Sequence, residues 1–309
     1  MRRNHSGSGR LGRAMVMGGA AMLGLALAGA AFAADDLIDP SIAKGSLAGK
    51  RVLVTGAARG MGRSHAVRLA EEGADLLLID ICTSLPALEY PLASREDLDE
   101  TARLVEKHGR RAVISVVDIR DADVLAAAVA AGVEELGGLD AAVANAGVLT
   151  VGTWDATTAE QWRTVVDVNL IGTWNTCAAA LPHLVGGGGS LILISSAAGL
   201  KGTPLHLPYT ASKHGVVGLS RALANELAAQ SVRVNTVHPT GVETGMRPES
   251  LQGLLAETRP DLIPIFLNAL PTVMAEPIDI SNAVLFLVSD ESRFVTGLEF
   301  KVDAGVTLR

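Results

Sequence analysis

Short runs of apolar residues alternate with longer stretches of helical periodicity from residue 50 onward. The runs have the length of buried β-strands, and they cover residues 51–55, 76–80, 112–118, 141–144, 190–195, 232–238 and 300–302. Between them, apolar residues recur with the spacing of one helix face, over residues 60–72, 95–108, 121–136, 159–184, 208–230 and 277–289. This alternation predicts right-handed crossovers and an α/β fold, namely a doubly wound, parallel, seven-stranded Rossmann-like sheet with helices on both faces.

Two segments are longer than the connections that such a fold needs. Residues 81–94 and residues 240–271 each contain several prolines, and each follows a predicted strand. Long loops at the carboxyl ends of parallel strands are where these folds place ligand contacts. We therefore predict that the two segments cover the binding site.

Composition agrees with this fold class and excludes one kind of partner. Hydrophobic residues make up 49% of the chain but aromatic residues only 3%, so Ala, Val, Leu and Ile must build the core, as in helix-covered parallel sheets. The formal net charge is −7, and no basic stripe is present that could displace counterions from a nucleic acid. The expected partner is a small molecule.

Neither the cysteines nor the histidines predict a metal site. Two cysteines, Cys82 and Cys177, are too few for a disulfide framework or a cysteine-based zinc site. His206, His214 and His238 have no carboxylate or second histidine at ligand spacing. We interpret these histidines as core or loop residues.

The first 33 residues have the pattern of a targeting segment. They contain four arginines and no acidic residue, followed by an apolar stretch and the small residues Ala31-Phe32-Ala33. This predicts a signal-like or membrane-anchor segment over 1–33, a linker over 34–49 and a single Rossmann-like domain over 50–309. The twin arginines Arg2-Arg3 suggest export. The alternative is a start at Met15 or Met17, so the location stays open between export or membrane association through this segment and the cytoplasm.

A glycine-rich turn follows the first predicted strand and opens the first helix. Gly56 permits the tight turn, while Gly60 and Gly62 allow the backbone to approach a pyrophosphate at the helix N-terminus. Asp80 ends the second strand, where its carboxylate can accept both ribose hydroxyls and would repel a 2′-phosphate, which favours NAD over NADP. Arg59 favours the opposite choice, but a buried like-charge contact costs more than a flexible exposed arginine contributes.

The ends of the third and fourth strands supply further candidate cofactor contacts. Asp118 and Ile119 could receive an adenine amino group, and the small residues of Asn145-Ala146-Gly147 let a cofactor pass close to the chain. Together with contacts that a family resemblance implies below, the predicted cofactor-binding residues are Gly56, Arg59, Gly60, Met61, Gly62, Asp80, Asp118, Ile119, Asn145, Ala146, Gly147, Tyr209, Lys213, Pro239, Val242 and Thr244.

A tyrosine and a lysine lie four residues apart on the predicted helix 208–230. Tyr209 and Lys213 would share one helix face, and a nearby cation favours the phenolate that proton exchange with an alcohol requires. Ser196, thirteen residues upstream at the end of the fifth strand, can bond to the same substrate oxygen. These three residues are the predicted catalytic group.

In these motifs the chain resembles the short-chain dehydrogenase/reductase family, over residues 50–308. The resemblance adds Asn169 as a catalytic residue that bends a helix and holds a water linked to Lys213. It also implies that Pro239, Val242 and Thr244 lie against the nicotinamide carboxamide, and that a homotetramer forms through 159–184 and 208–230. Ala144 and Thr240 depart from the family pattern, which commonly has Asn and Gly there.

A narrower resemblance concerns residues 56–66, 237–242 and 279–287 together with the insertion 81–94. These segments resemble the mycofactocin-associated, carveol-dehydrogenase-like branch. That branch implies an NAD that stays bound between turnovers and is reoxidised in place by mycofactocin. A loop directly after Asp80 could fold over the adenosine half and prevent its exit.

We therefore predict an NAD-dependent oxidoreductase that interconverts a secondary alcohol and a ketone. The leucines and isoleucines of 251–270 favour an apolar, terpenoid- or steroid-like substrate. One alternative is an ordinary ketone or 3-oxoacyl reductase with exchangeable NAD(P)H. Another, of a different class, is a non-catalytic dinucleotide-binding subunit, although such a protein would normally have lost Ser196, Tyr209 or Lys213.

Overall fold

A computed structural model describes residues 45–246, 248 and 250–309. Seven parallel strands form one sheet in the order β3-β2-β1-β4-β5-β6-β7. The strands are β1 Arg51–Thr55, β2 Asp75–Asp80, β3 Ala112–Val116, β4 Ala141–Ala144, β5 Gly189–Ile194, β6 Val232–Pro239 and β7 Glu299–Val302. The predicted fold class is confirmed, and the strand order reverses between β1 and β4, where doubly wound folds open a ligand crevice.

Helices cover both faces of the sheet. They are α1 Gly60–Glu71, α2 Arg95–Glu106, α3 Ala122–Leu136, α4 Ala159–Val166, α5 Gly172–Leu184, α6 Leu207–Leu227, α7 Ser250–Gly253 and α8 Pro277–Val288. Side chains on β1 show how the two cores are divided. Leu53 packs with α3 and α5 on one face, whereas Val52 and Val54 pack with α1, α2 and α8 on the other.

Capping residues set several of the helix boundaries. Ser94 and Asp97 form a reciprocal capping box at the start of α2, and Thr158 and Gln161 form one at the start of α4. Helix α3 ends at Gly137, which adopts a left-handed conformation with φ +82°. These local signals explain why most helix starts lie within a residue or two of the predicted positions.

One predicted helix is interrupted. The sequence pattern predicted a continuous helix over 159–184, but residues Asp167–Ile171 form a π-helical turn between α4 and α5. In this turn the Asn169 side chain bonds to the backbone of Val148 beyond β4, while the Thr173 hydroxyl donates to the Asn169 carbonyl. Apolar periodicity does not reveal such a turn, because it shifts the helix phase by only one residue.

The folded part of the chain includes residues that the sequence assigned to a linker. Residues 46–49 form a turn, and Leu47 is fully buried with its N–H donating to the Glu72 carbonyl. Residues 34–44 of the predicted linker and the whole signal-like segment 1–33 lie outside the described residues. Among the residues that the structure describes, no helix is long and apolar enough to cross a membrane.

The long segment after β6 contains more structure than a loop. Helix α7 continues into a π-helical turn at Leu254–Thr258 and a 3-10 helix at Pro260–Phe266. An isolated bridge between Val242 and Ala275 joins the two ends of the segment. The segment therefore folds back over the carboxyl edge of the sheet, as predicted for a covering element.

A buried histidine between α1 and α8 makes the fold sensitive to acid. His65 is fully buried, its Nδ1 lies 2.8 Å from the Ser281 hydroxyl, and burial lowers its pKa to about 3. Below pH about 6.5 the His65 imidazole takes up a proton in the unfolded chain but not in the folded chain. The free energy of unfolding therefore decreases as the pH falls below that value.

We expect His65→Gln to flatten the pH dependence of stability between pH about 6.5 and 4, because each pH unit there costs about 1.4 kcal/mol through one neutral buried histidine. The free energy of unfolding would be measured with urea at several pH values. The exposed His108→Gln is the matched control, and it should keep the wild-type slope. A wild-type slope in the His65 variant would contradict this assignment.

Candidate functional site

The predicted adenosine-side residues meet at the carboxyl edge of the sheet. A cavity of about 130 Å³ opens where the strand order reverses. Its wall contains these predicted residues: Gly56, Arg59, Gly60, Met61, Gly62, Asp80, Asp118, Ile119, Asn145, Ala146, Gly147 and Thr244. The structure therefore brings together residues that come from the ends of four different strands.

The glycine turn has the geometry of an anion site. Gly56 and Gly60 adopt positive φ angles of +66° and +56°, and a Cβ atom on Gly62 would collide with the Gly56 carbonyl. Helix α1 begins here with no acidic residue in its first turn and no side chain capping its N–H groups. These free N–H groups and the positive end of the helix dipole favour a bound phosphate.

Asp80 is held at the end of β2 by two backbone amides. Its Oδ2 accepts from Ala58 N at 3.0 Å, and its Oδ1 accepts from Cys82 N at 3.1 Å. The carboxylate is thereby fixed in the cavity wall, with the Asp80 residue only 8% exposed. A fixed negative charge suits hydroxyl donors and repels a phosphate.

Asp118 and Asn145 also line this cavity, and their side chains have different polar partners. The Asp118 carboxylate pairs with Arg120, and although burial opposes its charge, this guanidinium keeps the pKa of Asp118 below its usual value. The amide nitrogen of Asn145 donates to the carbonyls of Thr55 and Gly56, whereas its Oδ1 is buried with no described hydrogen-bond partner. A ligand donor in the cavity would satisfy that oxygen.

Residues 81–94, which we call the strap, cross one side of this cavity. Tyr90 is almost fully buried, and its hydroxyl oxygen accepts from Leu149 N at 2.9 Å, beyond β4. The Glu89 carboxylate accepts from the Ser250 hydroxyl at 2.7 Å, which joins the strap to α7. The sequence analysis missed Tyr90 as a site residue, although it is one of only two tyrosines and lies within the insertion.

Arg59, in the glycine turn, also bonds to the strap. Its guanidinium donates to the Pro91 carbonyl and lies against the backbone of Gly245. The sequence analysis weighed Arg59 as a partner for a 2′-phosphate. In the structure its side chain instead connects the glycine turn with the strap and with the segment after β6.

The predicted catalytic residues meet at a second cavity beside the first. Ser196, Tyr209, Pro239, Val242 and Thr244 line it, and Met61 and Thr244 also line the first cavity. The Ser196 hydroxyl lies close enough to the Tyr209 phenol to lower its pKa. Lys213 lies behind them, with Nζ 5.6 Å from the centre of the Tyr209 ring and 2.8 Å from the Ile194 carbonyl that it bonds.

The electrostatics of this group differ from the sequence-based expectation. Burial raises the pKa of Tyr209, and the Ser196 hydroxyl offsets this only in part. Burial also lowers the pKa of Lys213 to about 8. Desolvation therefore dominates the pKa of each group among the described residues, and the lowering of the Tyr209 pKa by Lys213 stays a prediction.

Asn169 and Lys213 both lie next to Gly147, which is part of the wall of the first cavity. The Asn169 Oδ1 accepts from Val148 N at 2.8 Å, and its Nδ2 donates to the Val148 carbonyl and the Ser212 hydroxyl. A Cβ atom on Gly147 would lie 3.4 Å from Asn169 Oδ1 and 3.5 Å from Lys213 Nζ. The two polar groups therefore both lie close to the backbone of the β4 loop.

His238, which the sequence analysis set aside, bonds to the catalytic serine. Its Nδ1 lies 2.9 Å from the Ser196 carbonyl, and its Nε2 lies 2.7 Å from the Thr236 hydroxyl. Because a carbonyl only accepts, Nδ1 carries the proton and Nε2 accepts from Thr236. The signal available in the sequence was its place one residue before the end of β6, while Ser196 lies two residues after the end of the neighbouring strand β5.

The chain offers no candidate metal centre among its described residues, since no group of three or more His, Cys, Asp or Glu side chains is arranged to hold an ion. A doubly wound sheet, a glycine turn with an anion site, and a buried Ser-Tyr-Lys group at the strand ends together define a dinucleotide-dependent oxidoreductase. Comparison with known proteins makes the assignment more specific.

Residues 56–307 match the family described as enoyl-(acyl carrier protein) reductase. The chain is 46% identical over 274 residues to the (−)-trans-carveol dehydrogenase of Rhodococcus erythropolis, covering 84% of this chain and 98% of that protein. It is 38% identical to the 3-alpha-(or 20-beta)-hydroxysteroid dehydrogenase of Mycobacterium tuberculosis, covering 84% and 90%.

Among solved structures, the chain is similar to a short chain dehydrogenase from Mycobacterium paratuberculosis bound to NAD. The TM-score is 0.83 at 50% identity, and the match covers 86% of this chain and 100% of that one. The chain belongs to the short-chain dehydrogenase/reductase family, and it is an enzyme of the oxidoreductase class.

We expect His238→Leu to lower kcat about tenfold with little change in KM, because Ser196 loses the group that fixes its backbone, a cost of about 1.4 kcal/mol. His238→Asn keeps a donor near the position of Nδ1 and should recover most of the rate. Initial rates of alcohol oxidation would measure both. Equal rates for the Leu and Asn variants would contradict a positioning role.

Proposed function

We propose that the chain is an NAD-dependent dehydrogenase that interconverts a secondary alcohol and a ketone on an apolar skeleton. The observation that carries this proposal is the placement of Ser196 and Tyr209 together in the wall of the second cavity, with Lys213 behind Tyr209 and the glycine-turn cavity next to them. In that position a phenol can exchange a proton with a substrate oxygen beside a nicotinamide site.

The residues of the first cavity fit NAD. The N-terminus of α1 would hold the pyrophosphate, Asp80 the adenosine ribose, and the unpaired Asn145 Oδ1 would receive a donor. Pro239, Val242 and Thr244 line the passage toward Tyr209. When bound, NAD supplies the hydride acceptor for oxidation of the alcohol. The relative from Mycobacterium paratuberculosis, which is bound to NAD, supports this choice.

The proton steps belong to residues of this chain. Tyr209 Oη takes the proton of the substrate hydroxyl, and Ser196 donates to the substrate oxygen and stabilises charge on it. The raised pKa of Tyr209 means that its phenol is neutral at rest, which suits proton donation to a ketone. For oxidation, the ammonium of Lys213 favours the phenolate, and Asn169 holds the β4 loop against Lys213 at the start of a relay to solvent.

The walls of the second cavity favour an apolar substrate. Leu149, Leu251, Ile265, Phe266 and Val306 contribute to its lining. The relatives named for carveol and for hydroxysteroids act on ring-shaped alcohols of terpenoid or steroid type. We propose a substrate of that class.

We further propose that NAD remains bound between turnovers and that mycofactocin is the electron acceptor. The strap supports retention, because Tyr90, Glu89 and Arg59 fasten it on three sides of the adenosine cavity. A cofactor that cannot leave must be reoxidised in place by a second redox molecule. The resemblance to the mycofactocin-associated branch supplies the identity of that molecule.

A homotetramer is the assembly that we propose for this chain. Trp162, Ile171 and Trp174 lie on α4, the π-helical turn and α5, and each is between 43% and 44% exposed. Large apolar side chains in such positions are typical of a surface covered by another subunit. Sedimentation of the purified protein would determine the number of subunits.

We expect Tyr209→Phe to retain NAD but to lower turnover at least about a hundredfold, because general acid–base transfer contributes 10²–10⁴-fold. Native mass spectrometry would measure bound NAD, and initial rates with an alcohol and an artificial electron acceptor would measure turnover. Trp154→Phe, at an exposed position away from the site, is the control. Retained turnover in the Tyr209 variant would remove the proposed mechanism.

We expect Tyr90→Phe to release NAD faster on dialysis, by about fivefold, because one hydrogen bond that fastens the strap is lost while the ring remains. The half-life of bound dinucleotide, followed by mass spectrometry, is the measurement. Tyr90→Phe combined with Ser250→Ala should accelerate release further.

Two results with the wild-type protein would favour the alternative functions. Immediate loss of NAD together with equal activity with added NADPH would indicate an ordinary exchanging reductase. Failure to turn over any alcohol or ketone would indicate a non-catalytic subunit.

A further inference from the structure

His206 lies beside the catalytic group without a defined role. It precedes α6, three residues before Tyr209, and it lines the second cavity. The residue is only 7% exposed, and its Nε2 is buried with no hydrogen-bond partner among the described residues. An unpaired buried polar atom of this kind costs about 1–3 kcal/mol of stability, so its retention requires a reason.

Other polar groups of the same wall have partners within the protein. Lys201 Nζ donates to the carbonyls of Ile265 and Val306, and the Thr240 hydroxyl donates to Asn268. The His206 ring instead packs edge-on against Tyr209, with 6.3 Å between ring centres, and against Phe266, with 5.6 Å. These aromatic contacts fix the ring beside the proton-exchanging phenol but leave Nε2 unpaired.

The backbone next to His206 is strained. Leu205 has a φ of +63°, a left-handed conformation that branched apolar side chains rarely adopt. The Leu205 carbonyl accepts from Gly152 N at 3.0 Å, and the His206 carbonyl accepts from Thr210 N at 2.8 Å. Two neighbouring features that reduce stability, the left-handed Leu205 and the unpaired His206 Nε2, thus lie beside Tyr209, and features of this kind cluster at functional sites.

We propose that His206 binds a second, uncharged oxygen of the substrate, so that the preferred substrate is an apolar alcohol with a further hydroxyl or carbonyl group near the reacting carbon. This inference rests on the proposed dehydrogenase function. Tyr209 and Ser196 would hold the reacting oxygen, and Nε2 would hold the second one. Two polar contacts on an otherwise apolar molecule fix which carbon faces the hydride acceptor.

The charge state of His206 narrows the chemistry of that second group. Burial lowers the pKa of His206 to about 4, so the imidazole is neutral in the physiological range. A neutral imidazole can donate from Nε2 to a carbonyl or accept there from a hydroxyl, depending on its tautomer. It offers no positive charge to a carboxylate, so an acid in this position gains nothing over a neutral oxygen.

The test compares cyclohexanol with cyclohexane-1,2-, -1,3- and -1,4-diol as probes on the NAD-loaded enzyme. Reduction of the bound NAD, followed by its ultraviolet absorbance in single turnovers, gives a second-order rate constant for each alcohol. We expect the best diol to exceed cyclohexanol about tenfold in the wild type, as one well-placed hydrogen bond of about 1.4 kcal/mol would give.

His206→Phe keeps an aromatic ring and removes the nitrogen, so it should abolish the preference for the diol, measured as the ratio of the diol and cyclohexanol rate constants within the same variant. His206→Gln places an amide near the position of Nε2 and should retain part of the preference. The thermal midpoint of the Phe variant should be no lower than that of the wild type, because an unpaired polar atom has been removed.

Four results would overturn the inference. If the wild type oxidises cyclohexanol and every diol with the same second-order rate constant, that result overturns the inference by itself, whether or not the variants fold. A Phe variant that keeps the wild-type preference for the diol would also overturn it. An equal loss of rate with cyclohexanol and with the diols would overturn it too, because it would show that His206 has only a structural role. Absence of turnover with every alcohol would overturn the proposed function and this inference with it.

Discussion

The close approach of the β1–α1 turn to the β4 loop is the constraint on which the site depends. A Cβ atom on Gly56 would lie 2.8 Å from the Ala146 Cα atom, and Asn145 donates to the carbonyls of Thr55 and Gly56. This contact fixes the point where the strand order reverses. The free N–H groups of α1 follow this turn, Asp80 accepts from Ala58 N within it, and the Lys213 ammonium lies below Gly147 in the β4 loop.

The catalytic half of the site concentrates polar groups where water is excluded. Lys213, His206 and His238 are all buried, and burial lowers the pKa of each. Keeping several such groups in one region reduces stability, which the two extensive apolar cores on either face of the sheet offset. The result is a site whose donors are already oriented before a substrate arrives.

The two long segments after β2 and β6 act on different cavities but touch each other. The strap covers the adenosine side, whereas the 3-10 helix Pro260–Phe266 borders the substrate side, where Lys201 holds the Ile265 carbonyl. The Glu89–Ser250 hydrogen bond links the strap to α7, at the start of the second segment. The two segments that border the two cavities are therefore physically connected.

Sequence periodicity by itself determined the seven strands, the parallel fold class and most helix boundaries, because burial of alternate faces and capping are local effects. The glycine turn, Asp80 and the Ser196, Tyr209 and Lys213 spacing likewise predicted where the site would lie, since carboxyl ends of parallel strands meet at one edge. The family resemblance implied a bend at Asn169, but only the tertiary structure decided that the bend is a π-helical turn, and only it decided the strap contact of Tyr90, the bond from His238 to Ser196 and the raised pKa of Tyr209. Each of these depends on desolvation or on contacts between residues far apart in the chain, and neither quantity is written in the order of the residues.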